Sequence, residues 1–187
     1  KDEIAKKYDT WQKEFEVWAS EEKELKALWD IMMSGNPLDV NETFPEYTTE
    51  DKLATRAASG AMLQVLEKMY PGLVGGSADL EGPNSCKIKS STYYAPDNRG
   101  GRNIHFGIRE FAMTAISNGM SLHGGLKPFC ATFLVFADYM KPAIRLSSLM
   151  KLPMIYIFTH DSISVGEDGP THQPIEREAG QRQCGVY

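Results

Sequence analysis

Cysteine is scarce in this sequence: Cys86, Cys130 and Cys184 are the only three among 187 residues. None stands in a C-x-x-C pair, and an odd, sparse set excludes a disulfide scaffold or a zinc knuckle and fits a reducing compartment. No apolar run approaches the length of a bilayer span, which excludes a transmembrane chain. No basic, apolar, small-residue leader opens the sequence, so no secretory signal is read. Positive charge is not in excess either: 20 Lys and Arg face 25 Asp and Glu. The basic stripe of a nucleic-acid binder is therefore missing. Internal repeats and low-complexity tracts are absent too.

What remains is ordinary globular composition, 42% hydrophobic, enough for one domain and a small attachment. The charge is uneven. Residues 1–50 carry six basic and thirteen acidic side chains, whereas residues 51–187 carry fourteen and twelve. Ile4, Tyr8, Trp11, Phe15 and Trp18 recur at steps of four and three, placing them on one helical face, and Leu25, Trp29 and Met32 resume the pattern. Ser20 is read as the N-cap between two helices, and Gly35 and Pro37 end the run. The spacing predicts an amphipathic arm packed on a neighbouring domain rather than a coiled coil, because Glu22 would occupy a seam position.

Residues 36–48 read as a connector, after which Thr48 or Thr49 is expected to cap a helix reaching Tyr70. Beyond it the pattern alternates. Apolar stretches at 73–78, 103–106, 128–133 and 152–158 are predicted as buried strands, and 108–122 and 134–149 as helices. Strands alternating with helices of this length indicate an α/β fold, a parallel sheet with crossover helices. Ligands of such sheets bind outside the carboxyl ends of the strands.

Four of those ends carry distinctive residues. G-G-S-A-D, ending at Asp79, is either a tight turn or a carboxylate presented to a ligand. Glu110 in G-I-R-E-F-A-M either complements a helix dipole or aims across the sheet end at a ligand nitrogen. Phe133, Phe136 and Tyr139 recur every three residues, as core or as a ring-stacking platform. The stretch T-H-D-S-I-S-V-G-E-D-G-P-T-H-Q-P-I-E, residues 159–176, gathers His160, His172, Asp161, Glu167 and Asp168 beside glycines. That density points to a functional loop. Its spacings match no zinc pattern, so no metal ligands are assigned.

Taken together these stretches resemble transketolase. A-T-R at 54–56, G-G-S-A-D-L at 75–80, G-I-R-E at 107–110, T-F-L-V-F-A-D-Y at 132–139 and the 159–176 stretch stand in that family's order. The resemblance runs from about Arg56 to Glu176. It implies a pyrimidine-binding domain over 51–176, C-terminally incomplete, after an acidic helical linker (1–50) from a preceding diphosphate-binding domain. Residues 177–187 are a divergent tail.

The family is a thiamine-diphosphate-dependent homodimer. Its members transfer a two-carbon ketol unit reversibly from a ketose phosphate to an aldose phosphate, in the pentose phosphate pathway and the Calvin cycle. The resemblance gives Glu110 a contact with the aminopyrimidine ring nitrogen, and Phe133, Phe136, Tyr139 and Ile108 a place around the cofactor. Asp79 becomes an acid near it. Arg56, His160, Asp168 and His172 fall on the sugar-phosphate side, with His160 and His172 also in proton transfers. Mg2+ or Ca2+ would be held by a domain outside this chain, and the isolated chain is expected to be inactive. No nucleic acid or membrane is implied; the location is cytoplasmic, or plastid if the intact protein carries a transit peptide.

Three positions depart from the family pattern. Pro83 stands where a phosphate-binding serine is usual, Ser164 replaces a glycine, and Phe111 replaces a histidine. The alternatives are a formaldehyde transketolase, a 1-deoxyxylulose-5-phosphate synthase, against which His160 and His172 together argue, and a non-catalytic truncated interaction module.

Overall fold

The computed structural model describes residues 2–39, 43–162 and 164–174. Two helices, α1 (Asp2–Glu21) and α2 (Lys23–Ser34), open the chain. The break falls at Glu22 (φ −106°, ψ 61°). Ser20, predicted as the cap, stays inside α1, because its hydroxyl donates back to the Val17 carbonyl at 2.7 Å rather than forward to a new helix. Trp29 of α2 comes within 5.7 Å of Phe15 and 6.3 Å of Trp18, centroid to centroid, so the aromatic faces of the two helices cover each other in part. Gly35, at φ +71°, caps α2 in the left-handed region that glycine adopts without strain. No helix among the described residues is long and apolar enough to cross a membrane.

Helix α3 spans Thr55–Met69, later than expected. Thr48 does not cap it. The Thr48 backbone N–H and hydroxyl both donate to the Asp51 carboxylate (2.7 and 2.9 Å), closing a turn of their own. Those bonds, the backbone one foremost, hold the Asp51 carboxyl below its usual range.

The body alternates β1 (Leu73–Ser77), α4 (Glu81–Asn84), α5 (Glu110–His123), β2 (Lys127–Phe133), α6 (Ala137–Leu149) and β3 (Ile155–Thr159). The strands form one parallel sheet in the order β1-β2-β3. This is the α/β architecture predicted. Residues of β2 alternate between two cores, as the two-residue period of a strand requires. Phe129 and Ala131 pack with Leu63 of α3, Leu73, Cys86 and Ile88. Cys130 faces the other way, with Met113 of α5 and Met140 and Ile144 of α6. Both faces of the sheet are thus covered, which is why the strands read as continuous apolar runs. Burial pushes the Cys86 and Cys130 thiols up to about 12, which disfavours the reactive thiolate; Cys184 lies outside the described residues.

The predicted strand at 103–106 does not form. Asn103 makes only isolated parallel bridges, to Gly75 on one side and to Tyr93 on the other. On its other side its backbone is engaged by the Thr92 carbonyl and the Tyr94 N–H, at 3.2 and 2.8 Å. Phe106 then drops into the second core, and Gly107 turns the chain at φ +66°. Gly76 permits the approach: a Cβ there would lie 2.0 Å from the Ile104 carbonyl oxygen. The segment is pinned from the side. Asn103, fully buried, accepts from the Ile88 N–H at 2.8 Å and donates to the carbonyls of Ile88 and Ser91 at 2.9 Å each.

Asn103→Ala leaves the Ile88 N–H and the Ser91 carbonyl without that partner, each worth about 1–3 kcal/mol if left buried and unpaired, while the Ile88 carbonyl keeps the Ser91 N–H at 3.3 Å. The expected loss of stability is about 2–4 kcal/mol by chemical denaturation. A loss below about 0.5 kcal/mol, the range of neutral surface changes, would contradict the pinning role.

Candidate active site

Parallel pairing brings the carboxyl ends of the three strands to one edge. Ser77 stands opposite Ala131, and Phe133 opposite Thr159. Beyond β1 the chain passes through Ala78 into Asp79, whose φ of +64° is rare for a residue with a side chain. Beyond β3 it enters His160 at φ +55°. Asp79 and His160 are two of the four non-glycine residues at positive φ among those described, with Ser85 and Lys151 elsewhere, and both lie within two residues of a strand's carboxyl end.

A cleft of about 490 Å³ opens there, lined by Ala78, Asp79, Leu80, Ile108, Glu110, Phe136, Tyr139 and His172. Glu110 is the first residue of α5, where a carboxylate meets the positive end of the helix. It is only 8% exposed and lines the cleft. No hydrogen bond or ion pair to its carboxylate is seen among the described residues, and its oxygens are not among the fully enclosed unpartnered atoms, so they open onto the cleft. Opposite Glu110 the aromatic rings form a stepped shelf rather than the single helical stripe that their spacing suggests. Phe133 ends β2, Phe136 lies in a 3-10 turn (Leu134–Phe136), and Tyr139 is in α6. The rings are near parallel: Phe133 and Phe136 lie 6.1 Å apart at 11°, Phe136 and Tyr139 6.2 Å apart at 22°. Ile108, 78% exposed, stands at the rim.

The second group sits beside the first. The His160 ring stacks on Phe133 at 3.7 Å. His172, in a short 3-10 turn (Pro170–His172), meets Phe133 and Phe136 edge-on at 5.8 and 5.3 Å. His160 Nε2 faces the Arg56 guanidinium at 3.4 Å and the Asp168 carboxylate at 3.9 Å. Burial, and after it the Arg56 charge, holds the His160 imidazole below its ordinary range; His172 adds to the lowering, while Asp168 and Asp161 oppose it. The ring is poised to accept a hydrogen bond or a proton rather than to carry charge.

All ten residues to which the resemblance gives a site role therefore fall at one edge of the sheet. Asp79, Ile108, Glu110, Phe136, Tyr139 and His172 line the cleft. Phe133, 5% exposed, lies beneath its floor, and Arg56, His160 and Asp168 flank it. Three polar residues at this edge were not singled out: Ser77, Asn84 and Thr159, buried and bonded in series. Thr159 opens the quoted loop motif, and Asn84 follows Pro83, so both lay on the page without a signal of their own. Among the described residues no three His, Cys, Asp or Glu side chains cluster as metal ligands.

The edge has a counterpart in known proteins. Residues 51–185 match the family described as transketolase, pyrimidine binding domain. The chain is 47% identical over 184 residues to the transketolase of Treponema pallidum, and 49% identical over 179 residues to that of Geobacillus stearothermophilus. These alignments cover 96% and 95% of the chain but only 28% and 27% of the relatives, so the chain spans little more than a quarter of their length. The solved transketolase of Leishmania mexicana superimposes with a TM-score of 0.89 at 37% identity, over 98% of this chain and 28% of that one. A Pichia stipitis transketolase solved with sedoheptulose-7-phosphate gives 0.86 at 38% identity, over 97% and 28%. With a family match over most of its length and one fold throughout, the chain belongs to the transketolase pyrimidine-binding domain family.

Proposed function

We propose that this chain supplies the pyrimidine-holding side of a thiamine-diphosphate site, in an enzyme that transfers a two-carbon ketol unit between sugar phosphates. The observation that carries the reading is Glu110, a mostly buried residue whose carboxylate opens onto a cleft lined by stacked rings, with no ion pair or hydrogen bond to it seen among the described residues. An aminopyrimidine fits both features: a flat ring for Phe136 and Tyr139, and a ring nitrogen for the carboxyl group. When bound, thiamine diphosphate supplies an acidic thiazolium carbon that serves as nucleophile toward a ketose carbonyl.

The chain's own residues do the rest. Glu110 holds a proton at the pyrimidine ring nitrogen. Ile108 presents apolar bulk at the rim, and Asp79 a carboxylate at the end of β1. On the substrate side Arg56 offers the fork of donors that suits a phosphate. His160 Nε2 accepts from a sugar hydroxyl or takes its proton, His172 stands across the ring of Phe136, and Asp168 accepts from a second hydroxyl. Pichia stipitis relatives have been solved with xylulose-5-phosphate, fructose-6-phosphate and sedoheptulose-7-phosphate. A ketose phosphate donor and an aldose phosphate acceptor are accordingly proposed here. The diphosphate and its Mg2+ or Ca2+ belong to another domain, across a homodimer, in a cytoplasmic or plastid enzyme.

Three outcomes follow. In the complete enzyme, Glu110→Gln lowers turnover by about 10²–10⁴-fold, the usual worth of a general acid or base, while the denaturation midpoint holds; unchanged turnover refutes the role. The 187-residue chain alone, titrated calorimetrically with thiamine diphosphate and Mg2+, binds weakly, because stacking adds only about 0.5–1.5 kcal/mol per aromatic pair beyond area burial. A sub-micromolar dissociation constant contradicts that.

The third concerns His160. Removing the opposing carboxylate by Asp168→Asn drives its pKa further down, and removing the guanidinium by Arg56→Gln brings it up. NMR titration of the ring protons reads both; a shift of either sign reversed overturns the arrangement. Since the folded value lies below the ordinary 6.5, the unfolded chain binds more protons between the two. The His160 contribution to stability therefore falls as pH drops from 6.5 through the folded value, and is flat above 6.5.

A further inference from the structure

Behind His160 lies a buried chain of hydrogen bonds that reaches back across the sheet. Asn84, fully buried at the end of α4, donates through its amide nitrogen to Ser77 Oγ at 2.9 Å. Ser77 Oγ also receives the Leu80 N–H at 3.1 Å. The Asn84 carbonyl oxygen then accepts from the Thr159 hydroxyl at 2.6 Å. Thr159, 6% exposed, stands 2.9 Å from His160 Nδ1.

A threonine hydroxyl has one hydrogen. Thr159 gives it to Asn84, so toward the imidazole it offers only lone pairs, and Nδ1 must be the donor. That leaves the Nε2 lone pair bare, directed at the Arg56 guanidinium, which can only donate. The two ends of the ring agree.

We infer that Asn84 and Thr159 are positioning residues: their hydrogen bonds fix His160 as the neutral Nδ1–H tautomer and thereby make Nε2 the acceptor that meets the sugar phosphate. The kinetic part of this inference rests on the function proposed above; the tautomer does not. The ring stands on a residue in the left-handed region, φ +55°. Stacking on Phe133 sets the plane of the ring. The Thr159 hydroxyl sets which edge faces out, and Asn84 sets which way that hydroxyl points.

Histidine-labelled 187-residue chain, read by long-range 15N–1H NMR above the His160 pKa, tests the tautomer directly. The wild type shows a protonated Nδ1 and a bare Nε2. Thr159→Val removes the one acceptor for Nδ1–H seen among the described residues, and the proton shifts toward Nε2, the edge that also faces the Asp168 carboxylate at 3.9 Å. Thr159→Ser keeps the hydroxyl and restores the wild-type pattern. His172, whose Nδ1 partner is the exposed Thr171 hydroxyl, keeps its pattern in all three chains. A bare Nδ1 in the wild type, as the opposite orientation of the Asn84 amide would produce, overturns the inference, as does a tautomer unmoved by Thr159→Val.

In the complete enzyme, Thr159→Val lowers kcat/KM for the ketose by at least about tenfold, since a wrongly presented base costs that or more. Affinity for thiamine diphosphate holds, and Thr159→Ser stays near wild type. If the NMR pattern follows the expectation while no variant alters ketol transfer, the positioning chain stands and the proposed function is what fails.

Discussion

Everything at the candidate site depends on the parallel register of β2 between its two neighbours. Because Ser77 meets Ala131 and Phe133 meets Thr159, three chain segments leave the sheet at the same edge. The residues that follow have no choice but to be neighbours. Parallel strands cannot be joined by tight hairpins, so each connection must cross the sheet as a helix. Two of those crossings deliver chemistry on their way: α5 starts with Glu110, and the 3-10 turn leading into α6 carries Phe136. The fold's packing requirement and the site's geometric requirement are met by the same pairing.

Two buried carboxylates show how the chain separates structure from chemistry. Glu67, 7% exposed, is bonded to the Arg102 guanidinium, which also reaches the Glu67 carbonyl oxygen at 3.1 Å. Its charge is answered, and it ties α3 to the loop beside β1. Glu110 is buried to nearly the same degree, 8% exposed, with no such answer among the described residues. Its carboxylate instead opens onto the cleft from a helix N-terminus, which leaves it free to meet a ligand. Proton-sharing with a ligand is what such an arrangement can do and a satisfied ion pair cannot.

Much of this was legible in the sequence because the informative residues sit in short, ordered motifs. The helices at α5 and α6 and the strands β1, β2 and β3 were read within a few residues from apolar runs alone. The strand at 103–106 was misread because an apolar run is also what a pinned loop looks like when its anchor, Asn103, spends its hydrogen bonds on residues 88–94. The start of α3 was misread because Thr48 has a nearer customer in Asp51. The Asn84–Thr159 bond joins residues 75 apart in sequence, and no local pattern announces a contact that only the sheet creates. Periodicity reports which face is buried; it does not report which buried polar atoms meet.

The central claim is that the Glu110 carboxyl receives the ring nitrogen of a pyrimidine lying on the Phe136–Tyr139 shelf. The most direct measurement is a crystal structure of the complete enzyme with thiamine diphosphate bound. The account predicts a Glu110 oxygen at about 2.6–3.0 Å from a pyrimidine ring nitrogen, in the range of a charge-assisted hydrogen bond, with the ring against Phe136 and Tyr139. A bound cofactor whose pyrimidine lies elsewhere, leaving Glu110 with a protein or solvent partner, would contradict it.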